Sequence, residues 1–351
     1  MRAAMPPVTL LNPFDAYAGS QRVATQLFAA FEALGARVRV QLGFGGHGFV
    51  SDLPGVRADL VCGSVRVRKL LFPLWSLALA PLLLLRVLRG ERIWGNTIYA
   101  LPPAMLAALV RPRQVFLHLH ELTFPGVFRP LLRLAMRRGV RVMCVSHVHA
   151  SGLGIDATIL ANPVAVPNVP PASARDRFLY IGTTAPMKGF DLYLDVAARL
   201  GGTGLRPVAY LADLERHDAG LLAKARALGV AVHFGETAPS TLFADGFLTL
   251  LATDPELWVE TFSLVAVESC AFLVPVGGAG AEVLDEVLGP ALAFNIASRD
   301  PAEIAARITA LAGDPARQAE LRAACEVRRG LYTMDRFREA LRMILQGEER
   351  E

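Results

Sequence analysis

Short apolar runs alternate with helix-patterned segments from Val8 onward, stop at a proline-rich stretch over residues 161–174, and begin again at Phe178. Alternation of this kind marks parallel βαβ units, and proline-dense, aperiodic sequence is linker composition. In the first half, Val8–Leu11, Val38–Leu42, Ile93–Trp94, Val115–Leu119 and Arg141–Val145 read as strands, with helices over Gln21 to Leu34 and Ala104–Val110. The glycines and histidine of GFGGHG, residues 43–48, read as a loop. In the second half, strands are expected at Phe178–Ile181, Val208–Leu211, Val230–Phe234, Phe247–Leu251 and Val274–Val276. Helices are expected over Phe190 to Leu200, Leu221–Leu228 and Phe262–Leu273. Asp300-Pro301-Ala302-Glu303 reads as a capping box opening a helix to about Leu311, and two more helices follow over 315–329 and 333–347.

The 351 residues suffice for two cores. The expected division is 1–165 as an N-terminal domain, 175–330 as a C-terminal domain, and 331–351 as a helix able to pack back on the first. The fold class is therefore α/β, two Rossmann-like domains whose parallel sheets face across a cleft.

Hydrophobic residues make up 53% and charged residues 19%, which excludes a disordered chain. The net charge of +4 suits anionic partners such as nucleotide diphosphates or acidic lipid. It is too diffuse for nucleic acid, and no nucleic-acid-binding motif occurs. Cys62, Cys144, Cys270 and Cys325 are scattered, which speaks against a disulfide framework or a zinc site and for a reducing cytosol. The opening MRAAMPPVTLLNPF is too short and proline-broken for a signal peptide.

Leu70 to Leu85 raises the membrane question, because LLFPLWSLALAPLLLL is flanked by Arg66, Arg68 and Lys69 before it and Arg86, Arg89 and Arg92 after it. Its apolar length falls short of the roughly 20 residues that span a bilayer, and Pro73 and Pro81 interrupt it. Three readings remain open: a crossover helix covering the sheet, contact with the membrane surface, or a span. The expected location is the cytoplasm, with association at the inner membrane face under the second reading.

Ligands of open α/β sheets bind outside the carboxyl ends of the strands, so those ends carry the search. In DPELWVETFSLVAVESCAFLVPVGG, Glu260 falls in the loop before a helix and Glu268 within it. The backbone N–H groups of Phe262, Ser263 and Leu264 would open that helix, and a helix N-terminus suits a diphosphate. Glu268 follows Val265 by three and Leu264 by four, on an otherwise apolar face, where an acid needs a partner. The plainer readings are a helix-dipole acid at 260 and a solvated residue at 268. In GTTAPMKG, Gly182, Thr183 and Lys188 form a loop fit for phosphate, or Lys188 is a surface cation. Gly19 in AGSQR permits backbone approach at a helix start, or Ser20 simply caps that helix. In HLHE, His118 and His120 share one side of a strand end; His120 is the candidate site residue, and a metal site is the weaker use of the pair.

These residues, in this order, resemble glycosyltransferase family 4, retaining enzymes of GT-B fold. The resemblance spans most of the chain, in the Glu-x7-Glu run with ETFSLVAVES, in YIGTTAPMKGFDLYL, TILANPV, CVSHVHASGL and GGAGAEVL. It implies that Glu260 contacts the donor sugar, Glu268 the nucleotide ribose, Lys188 the diphosphate, Gly19 the diphosphate from the first domain, and His120 the transferred sugar. The sequence departs from the family pattern where Thr183 replaces a basic residue, Ser263 replaces Gly, Leu273 replaces Gly, and Val208–Asp213 lacks a Gly. The implied activity is transfer from a nucleotide-diphosphate sugar to a saccharide or lipid-linked acceptor with retention, without cofactor or metal. A non-catalytic nucleotide-sugar-binding partner in an assembly complex, a GT-B sugar epimerase or an inverting transferase are the alternatives.

Overall fold

The computed structural model describes residues 5–45, 47–61, 64–167, 175–212, 217–235, 237–279, 282–289, 294–296 and 298–347. Half of the expected linker (168–174), Cys62, and part of the GGAGAE segment lie outside them. The chain divides into two compact units, Met1–Pro163 with Met334–Glu351, and Val164–Thr333.

The first unit runs β1 (Val8–Phe14), α1 (Gly19–Ala33), β2 (Val38–Gly45), β3 (Ala58–Val61), α2 (Val65–Leu88), β4 (Arg92–Gly95), α3 (Leu101–Val110), β5 (Val115–Leu119), α4 (Phe128–Arg138), β6 (Arg141–Cys144), α5 (His147–Leu153) and β7 (Thr158–Ile159). Among the described residues, its parallel sheet has seven strands in the order β3-β2-β1-β4-β5-β6-β7. Helices cover both faces, which is why the central strands are nearly all apolar. Alternate residues part to opposite sides: Leu10 and Phe116 join Leu27 and Phe31 of α1, while Leu11 and Leu117 join Leu79 and Leu83 of α2.

The second unit runs β8 (Arg177–Gly182), α6 (Phe190–Ala197), β9 (Arg206–Leu211), α7 (Ala219–Ala227), β10 (Ala231–Phe234), α8 (Pro239–Leu242), β11 (Gly246–Leu251), α9 (Leu264–Ala271), β12 (Val276–Ala279), α10 (Val283–Leu288), β13 (Phe294–Ile296), α11 (Pro301–Ala312) and α12 (Pro315–Arg329). Its sheet, β10-β9-β8-β11-β12-β13, repeats the topology of the first. The final helix, α13 (Met334–Gln346), belongs to the first unit, where Phe337, Leu341 and Ile344 pack with the α1 side of the core.

Four local expectations change. The GFGGHG segment is strand as far as Gly45, and a Cβ at Gly43 would stand 2.6 Å from the Trp75 ring, so glycine lets that indole pack on β2. Ser20 does not cap α1, whose N-cap is Ala18 with no side-chain hydrogen bond. Asp300 caps α11 by accepting from Ala302 N at 3.0 Å, while Glu303 pairs with Arg307 at 3.0 Å, so the reciprocal box is absent.

The fourth change is the largest. α2 is one continuous helix of 24 residues through both prolines, about 36 Å long. By length and composition alone it is the one described helix able to cross a bilayer. It is nevertheless a packed layer of the first unit, because Phe72, Trp75, Leu79, Leu83 and Val87 sit in the core. Leu74, Leu77, Leu82 and Leu85 do not cover the sheet: they are 65%, 73%, 42% and 49% exposed. Nor are all the flanking cations outward, since Arg86 donates to Thr9 Oγ1 at 3.3 Å and the Arg92 guanidinium lies 5.9 Å from the Phe116 ring centroid. Burial lowers the pKa of both.

Candidate functional site

The order of the second sheet reverses between β8 and β11, the place where open α/β sheets hold ligands. The chain leaves these strands at Gly182 and Leu251, and the two exits are tied together. Asp254 N donates to Met187 O at 2.9 Å. Gly189, with φ +68°, comes so near the end of β11 that a Cβ would stand 2.0 Å from Ala252 O, so no other residue fits.

Across this junction Lys188 Nζ meets Glu260 Oε1 at 2.5 Å. Thr253 Oγ1 donates to the same oxygen at 3.0 Å, and the ammonium lies 5.7 Å from the Trp258 ring centroid. The Lys188 and Glu260 side chains are 33% and 16% exposed, open enough to exchange partners with a ligand. The Tyr180 hydroxyl holds the loop from below, donating to Thr183 O at 2.7 Å and Lys188 O at 3.2 Å. Thr183 Oγ1 accepts from Ala185 N at 3.3 Å, so this side chain shapes the loop where the family pattern places a cation. Arg299 braces the other exit through Ala252 O at 3.1 Å, Thr253 O at 2.9 Å and an ion pair with Asp254 at 3.5 Å.

Glu260 precedes α9 by one turn of chain. Ser263 is the N-cap of that helix and accepts from Ala266 N at 3.3 Å. Phe262 is buried edge-on against Tyr332, centroids 5.7 Å apart, which fixes the approach of the loop to Leu264. Glu268 is 6% exposed, which removes the reading of it as a solvated residue. Leu273, where the family pattern has Gly, keeps the left-handed backbone a glycine would take, with φ +60°.

Gly19 and His120 belong to the first unit, where one residue joins their neighbourhoods. Asn96, just past β4, donates to Ser20 O at 2.7 Å and Asn12 Oδ1 at 3.2 Å, and its Oδ1 accepts from His120 Nε2 at 3.2 Å. His118 lies beneath, with ring centroids 4.4 Å apart, and its Nε2 donates to Leu160 O at 3.1 Å. His149 Nε2 donates to Glu121 O at 3.1 Å. Burial keeps all three imidazoles neutral, with the pKa of His118 lowered to about 3. Glu121 goes the other way: burial raises its pKa to about 7, opposed by the N–H groups of Ile98 and His120 that its carboxylate accepts. A neutral His120 that gives its Nε2 proton to Asn96 has an acceptor at Nδ1, which suits a hydroxylated ligand.

Sequence reading missed Asn96, Thr253 and Arg299 as site residues. Asn96 and Thr253 did stand at expected strand ends, but nothing in their spacing separates them from turn residues. Arg299 precedes α11 in sequence, and only the packing of α11 beside α6 brings it to β11. No cluster of three or more His, Cys, Asp and Glu side chains fit to hold a metal occurs among the described residues.

No family model matches this sequence, and no curated protein matches it closely enough to count as a relative. Solved structures do. A glycosyltransferase from Rickettsia africae ESF-5 superposes with a TM-score of 0.79 at 13% identity, covering 98% of each chain. Anabaena Alr3699/HepE in complex with UDP gives 0.75 at 17% identity, over 97% of this chain and 100% of that one. The lipopolysaccharide outer core galactosyltransferase WaaB gives 0.67 at 13% identity, over 98% and 100%. At these identities the likeness fixes the fold, and the chain has the two Rossmann-like domains of the GT-B architecture.

Proposed function

We propose that the protein transfers a glycosyl group from a nucleotide-diphosphate sugar to a hydroxyl of a saccharide or lipid-linked acceptor, with retention and without a metal, as the resemblance to glycosyltransferase family 4 implies. The observation that carries this reading is the Lys188–Glu260 pair at the β8/β11 switch point, next to the start of α9. Lys188 neutralises the diphosphate beside Gly182, Thr183 and the backbone of Phe262, Ser263 and Leu264. Glu260 accepts hydrogen bonds from the donor sugar and Glu268 from the ribose. Gly19 approaches the diphosphate from the first unit, and His120 contacts the transferred sugar. That HepE was crystallised with UDP and with UDP-glucose makes uridine nucleotides the first donors to assay.

In the transfer, the bond from the anomeric carbon to the diphosphate oxygen breaks. The acceptor oxygen bonds to the same carbon on the same face, and its proton passes to the departing oxygen. Atoms and charge balance without a carboxylate base. Fixed positive charge at the leaving group supplies the stabilisation, usually a large catalytic term. Peripheral contact of α2 with the inner membrane face accompanies this reading.

The test is turnover of nucleotide sugars by purified protein, with the anomeric configuration of the product read by NMR. An inverted product overturns retention. Tight nucleotide-sugar binding with neither hydrolysis nor transfer would favour a non-catalytic binding partner, the reading that Thr183 in place of a cation supports.

A further inference from the structure

Between α2, α3 and α4 the first unit carries a groove of about 750 Å³, within the range of small-molecule sites. Its walls are apolar, including Phe72, Leu77, Ala80, Met105, Leu106 and Phe128. One lining side chain is charged, Lys69, at the α2 N-terminal end. One buried polar atom faces no partner: Ser76 Oγ, on a residue 6% exposed, has no hydrogen bond among the described residues.

Two residues of the groove wall adjoin residues of the candidate site. Phe14 and Tyr99 line the groove, and Phe14 O accepts from Asn12 Nδ2 at 2.5 Å, the residue whose Oδ1 takes Asn96 Nδ2. Tyr99 follows Ile98, whose N–H donates to Glu121 Oε2 at 3.2 Å; burial raises the Tyr99 pKa and the Glu121 charge adds to it. The Phe14 and Tyr99 rings, packed edge to face at 5.4 Å, are therefore the layer between the groove and the strand ends that carry Asn96 and His120.

The helices that form it hold no carboxylate at all. α2, α3 and α4 contain Arg66, Arg68, Lys69, Arg86, Arg129, Arg133, Arg137 and Arg138 and neither Asp nor Glu. Apolar walls, a single cation at the mouth and a carboxylate-free surround complement a hydrocarbon chain with an anionic head.

We propose that the α2–α3–α4 groove is an acceptor subsite that binds the hydrocarbon chain of a phosphorylated lipid, with Lys69 facing its phosphate and the acceptor hydroxyl delivered toward His120. This rests on the reading of the protein as a glycosyltransferase, and its test is separable from that reading.

The probes are hexyl, octyl and decyl phosphate, below their micellar concentrations, titrated into the full chain by calorimetry. Affinity should rise about fourfold per methylene buried. Leu106→Asp puts a charge on an exposed part of the wall, so the fold tolerates it, and should weaken decyl phosphate about tenfold or more. Lys69→Ala should weaken all three alkyl phosphates alike. UDP binding should be unchanged in both variants. Inorganic phosphate binding as tightly as decyl phosphate, or no chain-length dependence, overturns the proposal. So does wild-type decyl phosphate affinity in Leu106→Asp. Absence of alkyl phosphate binding with nucleotide-sugar turnover intact removes the subsite alone and leaves the transferase standing.

Discussion

Lys188 and Glu260 lie 72 positions apart in sequence and 2.5 Å apart in space, the cation on the exit from β8 and the acid on the exit from β11. Without ligand each neutralises the other. A donor must part them, its diphosphate taking the ammonium and its sugar hydroxyls the carboxylate. Part of the binding free energy is therefore spent on breaking the pair, and changes at the two positions should have opposite effects on product binding.

Glu260→Gln removes the acid and releases Lys188. Turnover should fall by roughly 10²–10³, the scale of losing one well-placed polar contact in a transition state. UDP should bind as tightly as before or more tightly, because no carboxylate competes for Lys188. Steady-state kinetics and calorimetry check both halves. An unchanged kcat, or UDP binding that weakens along with it, sinks this role.

Lys188→Ala should weaken UDP binding by roughly tenfold or more, the scale of a hydrogen bond to a charged group. Arg at this position should restore only part of it, since a planar fork does not replace a compact ammonium. Equal UDP affinity in wild type and Lys188→Ala would return Lys188 to the surface.

Much of this site was legible because its chemistry sits at strand ends. Period and loop place Gly182, Lys188, Glu260 and His120 at or beyond strand ends, where the structure has them, while their roles come from the resemblance. What stayed hidden depends on tertiary packing. Nothing local tells that Arg299 braces Thr253, or that Asn96 ties Ser20 to His120. Elements went unseen where apolar signals are short or amphipathic, as in two-residue β7 and the arginine-rich α4. α2 misled through its prolines, whose local cost is overridden because the helix buries a whole face in the core. Leu273 reads as a departure from a glycine pattern, yet its backbone is left-handed, with φ +60°.

The strand-end cluster of the first unit sets a pH dependence of stability. His118 has a folded pKa of about 3 against an ordinary 6.5, so between those values the unfolded chain binds a proton that the folded chain refuses. Stability falls as pH falls through that window, and His120 and His149 act in the same direction. Glu121, at about 7 against 4.5, opposes them: folded protein holds its proton there, and that stability is lost as pH rises through 7. On acidification from about pH 7.5 to about pH 5, Tm should drop more steeply in Glu121→Gln than in wild type, and less steeply in His118→Gln. Parallel Tm profiles for all three proteins would contradict the assignment.

Metal independence is the fourth expectation. No Asp-x-Asp triplet occurs in the sequence, and the positive charge at the leaving group is assigned to Lys188 and the α9 backbone. Turnover should be the same with and without excess chelator. Loss of activity in chelator, restored by magnesium or manganese, would count against this mechanism.

Membrane contact is the last, and the side-chain directions of α2 define how to test it. Phe72 and Trp75 are buried and unavailable for insertion, while Leu70, Leu74 and Leu77 are 75%, 65% and 73% exposed on the outer face. Arg86 and Arg92 turn inward, so neutralising them would damage the core and say nothing about lipid. Arg66, Lys69 and Arg89 are exposed at the two ends of the same helix. Each cation near an anionic surface contributes roughly 1 kcal/mol, so changing these three to Gln should weaken binding to anionic vesicles roughly a hundredfold. Leu70→Ser with Leu74→Ser should lower binding further and leave its salt dependence intact, because insertion is apolar while attraction is electrostatic. Sedimentation with vesicles rich in phosphatidylglycerol measures both. Failure of the intact protein to sediment at low salt, or equal binding by the triple Gln variant, would leave α2 as a crossover helix with an exposed apolar flank.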